Sequence, residues 1–199
     1  MSILHYQAGT LFQDLQLVQN PRPVYIDLDF TLLRTSSLYF FFPQALKYLP
    51  FWIWETPSYS WSCFKEYIST RVSFQAQTWP YRPVVLEFIN LCRTHHIPCF
   101  LATGAHRSVA QKVNTFLGCF QDVFGSTREC HLVGQKKADL ILSRGQPFTY
   151  LGDSTQDFAV WQNALEIVAL NPSSYVQKRL EKCALDWSKP LHLVYDQVP

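Results

Sequence analysis

This chain of 199 residues has no Cys-x-x-Cys pair, no large charge excess of either sign, no unbroken apolar run of membrane-spanning length and no internal repeat. Each absence removes a class of protein. The six cysteines (63, 92, 99, 119, 130 and 183) are scattered through a chain long enough to bury its own core. That disfavours a disulfide scaffold or a zinc module and fits reduced thiols. Lys and Arg number 17 against 15 Asp and Glu, and a net charge of +2 is too weak a field to hold a polyanion, so no nucleic-acid partner is expected. Met1 to Gln19 lacks a basic start and a continuous apolar stretch, because Gln13, Asp14, Gln16 and Gln19 interrupt it. No secretory signal is expected, and the expected location is cytoplasmic. The greasiest stretch, Leu38 to Trp54, is cut by Pro43, Lys47 and Pro50 and falls short of the roughly 18 apolar residues of a spanning helix.

What is present is a chain 48% hydrophobic and 16% charged, the composition of a folded domain with room for one insertion. Short apolar runs alternate with helical patterns, the signature of a parallel α/β sheet. Strands are predicted at Val24–Asp29, Pro98–Thr103, Asp122–Ser126, Phe148–Gly152 and Glu166–Leu170, with a further edge strand around Leu191–Tyr195. Helices are predicted at Thr10–Val18, Arg82–His95, Ser108–Leu117, Lys136–Ser143, Thr155–Ala164 and Ser173–Ala184. Aromatic residues are unevenly placed: 15 of the 31 lie between Tyr39 and Tyr81. The expected packing of that segment is a helical lid, with Trp52, Trp54 and Trp61 inside it. The alternative is that Phe41 and these tryptophans face a lipid-like substrate or a membrane surface.

In open α/β sheets ligands bind outside the carboxyl ends of the strands. Asp27 and Asp29 end the first predicted strand, Thr103 and Gly104 the second, and Gly152 to Asp157 the fourth, while Lys137 opens the preceding helix. If the backbone stays extended, Asp27 and Asp29 project to one side, roughly 6.6 Å apart. Clustered carboxylates are costly to bury without a cation, because burial and mutual repulsion both raise their pKa. Asp27, Asp153 and Asp157 with a backbone carbonyl make an all-oxygen set suited to Mg²⁺. Lys137, with Lys136 as the alternative, and Thr103 offer what a phosphate needs: a compact cation and a hydroxyl donor.

The segments DLDFTLL at Asp27–Leu33, LATG at Leu101–Gly104, Lys137 and GDSTQD at Gly152–Asp157 resemble, in order and spacing, the haloacid dehalogenase (HAD) superfamily. More narrowly, the run from DLDFTLLRTSSL through HLVGQKKADL to YLGDSTQDFAVWQNA is similar to the soluble domain that precedes some membrane prenyltransferases of the ubiquinone-biosynthesis (UbiA) type.

The resemblance implies a Rossmann-like core of residues 1–33 and 83–199 with a cap inserted at 34–82. It implies Asp27 as nucleophile, Asp29 as general acid/base with its carbonyl on the metal, Thr103, Gly104 and Lys137 as phosphate binders, and Asp153 with Asp157 as the acidic Mg²⁺ group. A second carboxylate two residues after the nucleophile separates phosphatases and phosphomutases from dehalogenases. The expected activity is therefore Mg²⁺-dependent phosphate-ester hydrolysis of a small or lipid-like phosphorylated molecule. A phosphomutase and an inactive, partner-binding relative are the alternatives. Phe30 stands where many members have Gly and, with His106, is a candidate substrate contact; no basic residue occupies Val133.

Overall fold

The computed structural model describes residues 7–40 and 75–196. The core is a six-stranded, wholly parallel sheet with the order β3-β2-β1-β4-β5-β6. Its strands are β1 Val24–Ile26, β2 Cys99–His106, β3 Asp122–Ser126, β4 Thr149–Gly152, β5 Glu166–Leu170 and β6 Leu191–Val194. Flanking them are helices α1 Ala8–Asp14, α2 Pro83–Thr94, α3 Arg107–Leu117, α4 Gln135–Leu142, α5 Phe158–Trp161 and α6 Ser174–Asp186. The sequence-predicted α/β class and all six strand positions agree with this Rossmann-like arrangement. The tryptophans at 52, 54 and 61, and most of the predicted cap, lie outside the described residues.

Strand alternation assigns the two faces. Val24, Ile26, Leu151 and Val168 point to a core shared with α1, α2 and α3 through Leu11, Phe88 and Val109. Tyr25, Tyr150, Ile167 and Ala169 point to the other core, packed by Ile141 of α4, Trp161 of α5 and Leu180 of α6. Each large apolar side chain fully buried in this way contributes about 1.5–3 kcal/mol relative to exposure. Right-handed crossovers then require the helices to change face where the strand order reverses, between β1 and β4. That switch point opens a crevice at the carboxyl ends of these two strands, directly after which Asp27 and Asp153 follow.

Four elements differ from the sequence-based expectation. The second strand, β2, runs on to His106, so Thr103 and Gly104 lie inside it and not at its end. The N-terminal helix stops at Asp14 because Gln16 takes a positive φ of 48°. The first strand ends at Ile26, one residue before Asp27, so Asp27 and Asp29 are not two rungs of one strand. The helix predicted from Thr155 is a 3-10 turn, Thr155–Asp157, followed by the single α-turn of α5, which leaves Asp153 ahead of the helix and not on a face shared with Asp157.

Candidate active site

The chain leaves β1 with the Asp27 N–H donating to Leu151 O at 3.0 Å, which ties the first aspartate to the end of β4. A five-residue turn, Leu28–Leu32, follows, closed by Leu33 N–H to Leu28 O at 2.8 Å. Within it Asp29 is extended (φ −70°, ψ 131°) and Phe30 is left-handed (φ 56°, ψ −3°). A bulky residue there carries about 1–2 kcal/mol of strain that glycine would not. The Asp29 carboxylate accepts from the Ser37 N–H at 2.7 Å and from the Ser36 hydroxyl at 3.5 Å. Two serines thus orient it toward the crevice.

Lys137 comes from the first turn of α4 and is only 2% exposed, whereas Lys136 is exposed. Its ammonium donates to Asp27 Oδ1 at 3.0 Å, to the Tyr150 hydroxyl at 2.8 Å and to Asp157 Oδ1 at 3.2 Å. Tyr150 in turn donates to Asp157 Oδ1 at 2.6 Å. The other oxygen of Asp157 accepts from the N–H groups of Asp153 and Ser154 at 3.1 and 3.2 Å. Asp157 is therefore fully engaged by the protein: it holds Lys137 with one oxygen and folds the Asp153 turn with the other.

This folding-back requires Gly152, since a Cβ there would sit 2.6 Å from Asp157 Oδ2 and 2.8 Å from the Tyr150 ring. Gly152→Ala is accordingly expected to lower stability by about 1–3 kcal/mol, the usual range for overpacking, and to displace Asp157. Thermal melting beside a Mg²⁺ titration checks both effects.

Asp27, Asp153 and Asp157 each bring a carboxylate oxygen within 4.8 Å of the others. Burial, and then the charges of Asp157 and Asp29, overcome the pull of Lys137 and push Asp27 up to about 7. Burial and the charges of Asp27 and Asp157 push Asp153 up to about 8. Burial alone would depress Lys137, but the two aspartates outweigh it and raise its pKa. When ionised, the three carboxylates outnumber the one ammonium that faces them by two charges. A hard divalent cation fits that deficit in both charge and donor type. Asp27 and Asp153 are the side chains that would hold such an ion, since both oxygens of Asp157 are taken up by the protein.

The crevice encloses a cavity of about 340 Å³ lined by Asp27, Asp29, Thr103, Gly104, Lys137 and Asp153, with Phe30 and Leu38 on its wall. Thr103 is 1% exposed and its hydroxyl accepts from the Ala105 N–H at 3.0 Å. Gly104 packs so closely that a Cβ would lie 2.8 Å from the Val133 side chain. His106 is placed differently from the expectation. It caps α3, its Nδ1 accepting from the Ser108 N–H at 3.3 Å, and it is not among the residues lining the cavity.

No family model matches the sequence. The uncharacterized protein y4nM of Sinorhizobium fredii is 28% identical over 182 residues, which are 87% of this chain and 34% of that protein. The chain thus spans about a third of that relative's length. Among solved structures, a HAD family hydrolase, T0658, of Salmonella enterica serovar Typhi superposes with a TM-score of 0.58 at 10% identity, over 85% of this chain and 74% of that one. Phosphoserine phosphatase, solved as a phospho-aspartyl intermediate analogue, superposes with a TM-score of 0.58 at 12% identity, over 87% of this chain and 93% of that one. The fold is HAD-like.

Several residues of the site had no motif to announce them. Tyr150 sits inside a buried strand, where a lone hydroxyl two residues before Gly152 was the available signal. Ser126, at the end of β3, donates to Gly104 O at 2.8 Å, accepts from the Leu132 N–H at 3.0 Å and pairs with His131 Nδ1 at 3.1 Å. It stitches the Thr103–Gly104 stretch of β2 to the loop bearing His131, which lines the cavity. These are contacts between segments far apart in the chain, and no local pattern encodes them.

Proposed function

We propose that the protein is a Mg²⁺-dependent phosphomonoester hydrolase that works through an aspartyl-phosphate on Asp27. The observation that carries this reading is the shared Lys137, buried between Asp27 and Asp157 at the sheet's switch point and facing a cavity that Asp29 also lines.

The bound cation would offset charge on the carboxylates and on the phosphoryl oxygens, so that one anion approaches another. The Thr103 hydroxyl and the backbone around Gly104, within β2, hold the phosphoryl group, and Lys137, whose three N–H groups go to Asp27, Tyr150 and Asp157, offers it a nearby positive charge. An Asp27 oxygen attacks phosphorus, and the bond from phosphorus to the leaving oxygen breaks as Asp29 gives that oxygen its proton. Asp29, now ionised, takes a proton from water; the water oxygen attacks the same phosphorus, releasing inorganic phosphate and restoring Asp27. The substrate in this reading is a small phosphorylated molecule. Phe30, 42% exposed, and Leu38 give the cavity an apolar wall that favours a greasy, lipid-like leaving group. The narrower likeness to the domain preceding membrane prenyltransferases rests on the sequence runs alone, and y4nM carries the matching region within a longer chain. Phosphate release from a panel of aryl, sugar, amino-acid and prenyl phosphates, with Mg²⁺ and in excess EDTA, tests the reading. Equal rates in EDTA overturn the metal role, and transfer of phosphate between substrate positions without release to solution identifies a mutase instead.

The raised carboxyl groups also set a pH dependence for the metal-free protein. A folded-state pKa of about 7 or 8 against 3.8 means that the folded chain holds protons the unfolded chain has released. Stability from these two groups is complete below the unfolded value and is lost as pH rises through about 7 to 8. In EDTA the melting temperature is expected to fall between pH 5 and pH 8. Saturating Mg²⁺ is expected to restore it, with a larger shift at pH 8 because binding displaces fewer protons there. Differential scanning calorimetry across that range checks the sign.

A further inference from the structure

Phe30 is held in its left-handed conformation from behind. Its carbonyl oxygen accepts from Nε and Nη2 of Arg82 at 3.3 and 3.2 Å. Arg82 immediately precedes α2, is only 7% exposed, and donates its own N–H to Leu32 O at 2.9 Å. Its remaining fork nitrogen, Nη1, pairs with Asp196, just past the end of β6. Asp196 also accepts from the Asn171 side-chain amide, which follows β5, and lies 3.5 Å from Arg34 Nε. Although burial works to raise its pKa, Asn171, Arg82 and Arg34 together hold the Asp196 carboxyl below the usual range.

Arg34 and Arg82 stand on the two strands of chain that flank residues 41–74. These strands are themselves joined by the Leu33–Tyr81 bridge, the Arg34 N–H to Pro80 O bond at 2.9 Å and the stacking of Phe40 on Trp79 at 5.0 Å. One carboxylate from the sheet's far edge therefore gathers both.

We propose that Arg82, braced by Asp196, is a positioning residue for the reaction: by fixing the Phe30 carbonyl it sets the direction in which the neighbouring Asp29 presents its carboxyl to the leaving group. This rests on the reading of Asp29 as the general acid/base. Its physical basis is rigidity. The held carbonyl belongs to the Phe30–Thr31 peptide plane, which the φ and ψ of Phe30 alone join to the plane that carries Asp29, and a left-handed Phe is strained, so holding its carbonyl opposes relaxation toward the ordinary region. Only a guanidinium has the planar fork to hold a carbonyl with one edge and a carboxylate with another, so Arg82→Lys is not a conservative change here.

A misplaced Asp29 slows release of the leaving oxygen only where that oxygen needs a proton, whereas its later role toward water is common to all substrates and does not enter kcat/KM. The test is steady-state kinetics of wild type, Arg82→Met, Arg82→Lys, Asp196→Asn and Asp29→Asn on two substrates: an alkyl phosphate, whose leaving oxygen needs protonation, and dinitrophenyl phosphate, whose leaving oxygen does not. In kcat/KM, which reads only the steps up to departure of the leaving oxygen, Arg82→Met is expected to lose about 30-fold on the alkyl ester and less than about 3-fold on the dinitrophenyl ester. Arg82→Lys and Asp196→Asn are expected to show the same selectivity at smaller size, and they carry the test if Arg82→Met does not fold. Equal losses on the two esters in the variants that fold, or no loss at all, overturn the positioning role. If Asp29→Asn itself shows no leaving-group selectivity, or wild type hydrolyses neither ester, the acid/base reading fails and the positioning role falls with it. If Asp29→Asn is selective and the Arg82 and Asp196 variants are not, only the positioning role is overturned.

Discussion

The Asp27→Asn protein is expected to fold, to melt no lower than wild type in EDTA, and to release no phosphate. The first two expectations follow from the cost of the native charge. Burial, Asp157 and Asp29 push Asp27 up to about 7 even with Lys137 at 3.0 Å, so at pH 8 the metal-free site carries an ionised carboxylate in an unfavourable place. An amide of nearly the same shape removes that charge and keeps an oxygen to accept from Lys137. The third follows because an amide oxygen is a poor nucleophile toward phosphorus and the covalent route is closed. Loss of a group that acts as nucleophile removes most of the chemical acceleration, on the order of 10⁴-fold or more in kcat. The Mg²⁺-induced rise in melting temperature should shrink as well, since one of the two best-placed donors has lost its charge. Activity assays beside melts at pH 8 with and without Mg²⁺ read all of these. Full activity in this variant would remove the proposed chemistry.

The second large effect belongs to Lys137. Replacing it with Met leaves Asp27 and Asp157 buried together with no cation between them, and leaves Tyr150 donating to a carboxylate that has lost its main counter-charge. Removing one partner of a buried ion pair costs about 3–5 kcal/mol. For a chain of this length that corresponds to a fall of about 6–20 °C in melting temperature. The loss should be greatest in EDTA at pH 8 and smaller at pH 5, where the carboxyl groups take up protons instead. Pairing the change with Asp157→Asn should recover part of the stability, because the second substitution removes the orphaned charge. A double-mutant cycle in urea measures the recovery; simple additivity of the two losses would show that Lys137 and Asp157 are not coupled. Catalysis should stay low in the pair, since the cation facing the phosphoryl group is still missing.

The sheet was legible because its strands are short apolar runs spaced by helical patterns. Even the edge strand Leu191–Val194 stood out from the polar residues around it. Asp27 and Asp153, just past the ends of their strands, were legible for the same reason, and Thr103, although β2 continues past it to His106, also marks a point where an apolar run stops. The local path between them was not. The five-residue turn Leu28–Leu32, with Phe30 at positive φ, is met by the Arg82 side chain 52 residues away. The bending back of Asp157 beneath Ser154 breaks the predicted helix into a 3-10 turn, and it depends on Tyr150 and Lys137 offering two donors to one oxygen. Asp196 had no signature at all, because a carboxylate after an edge strand acquires meaning only when Arg82, Arg34 and Asn171 are brought to it.

Acid quenching during turnover of an aryl phosphate, followed by peptide mass spectrometry, tests the covalent route most directly. The mass of one phosphoryl group on the peptide containing Asp27, localised to that residue and absent from Asp27→Asn, is the predicted result. Turnover with the phosphoryl group on any other residue, or with no phosphorylated protein at any quench time while Asp27→Asn remains active, would contradict it.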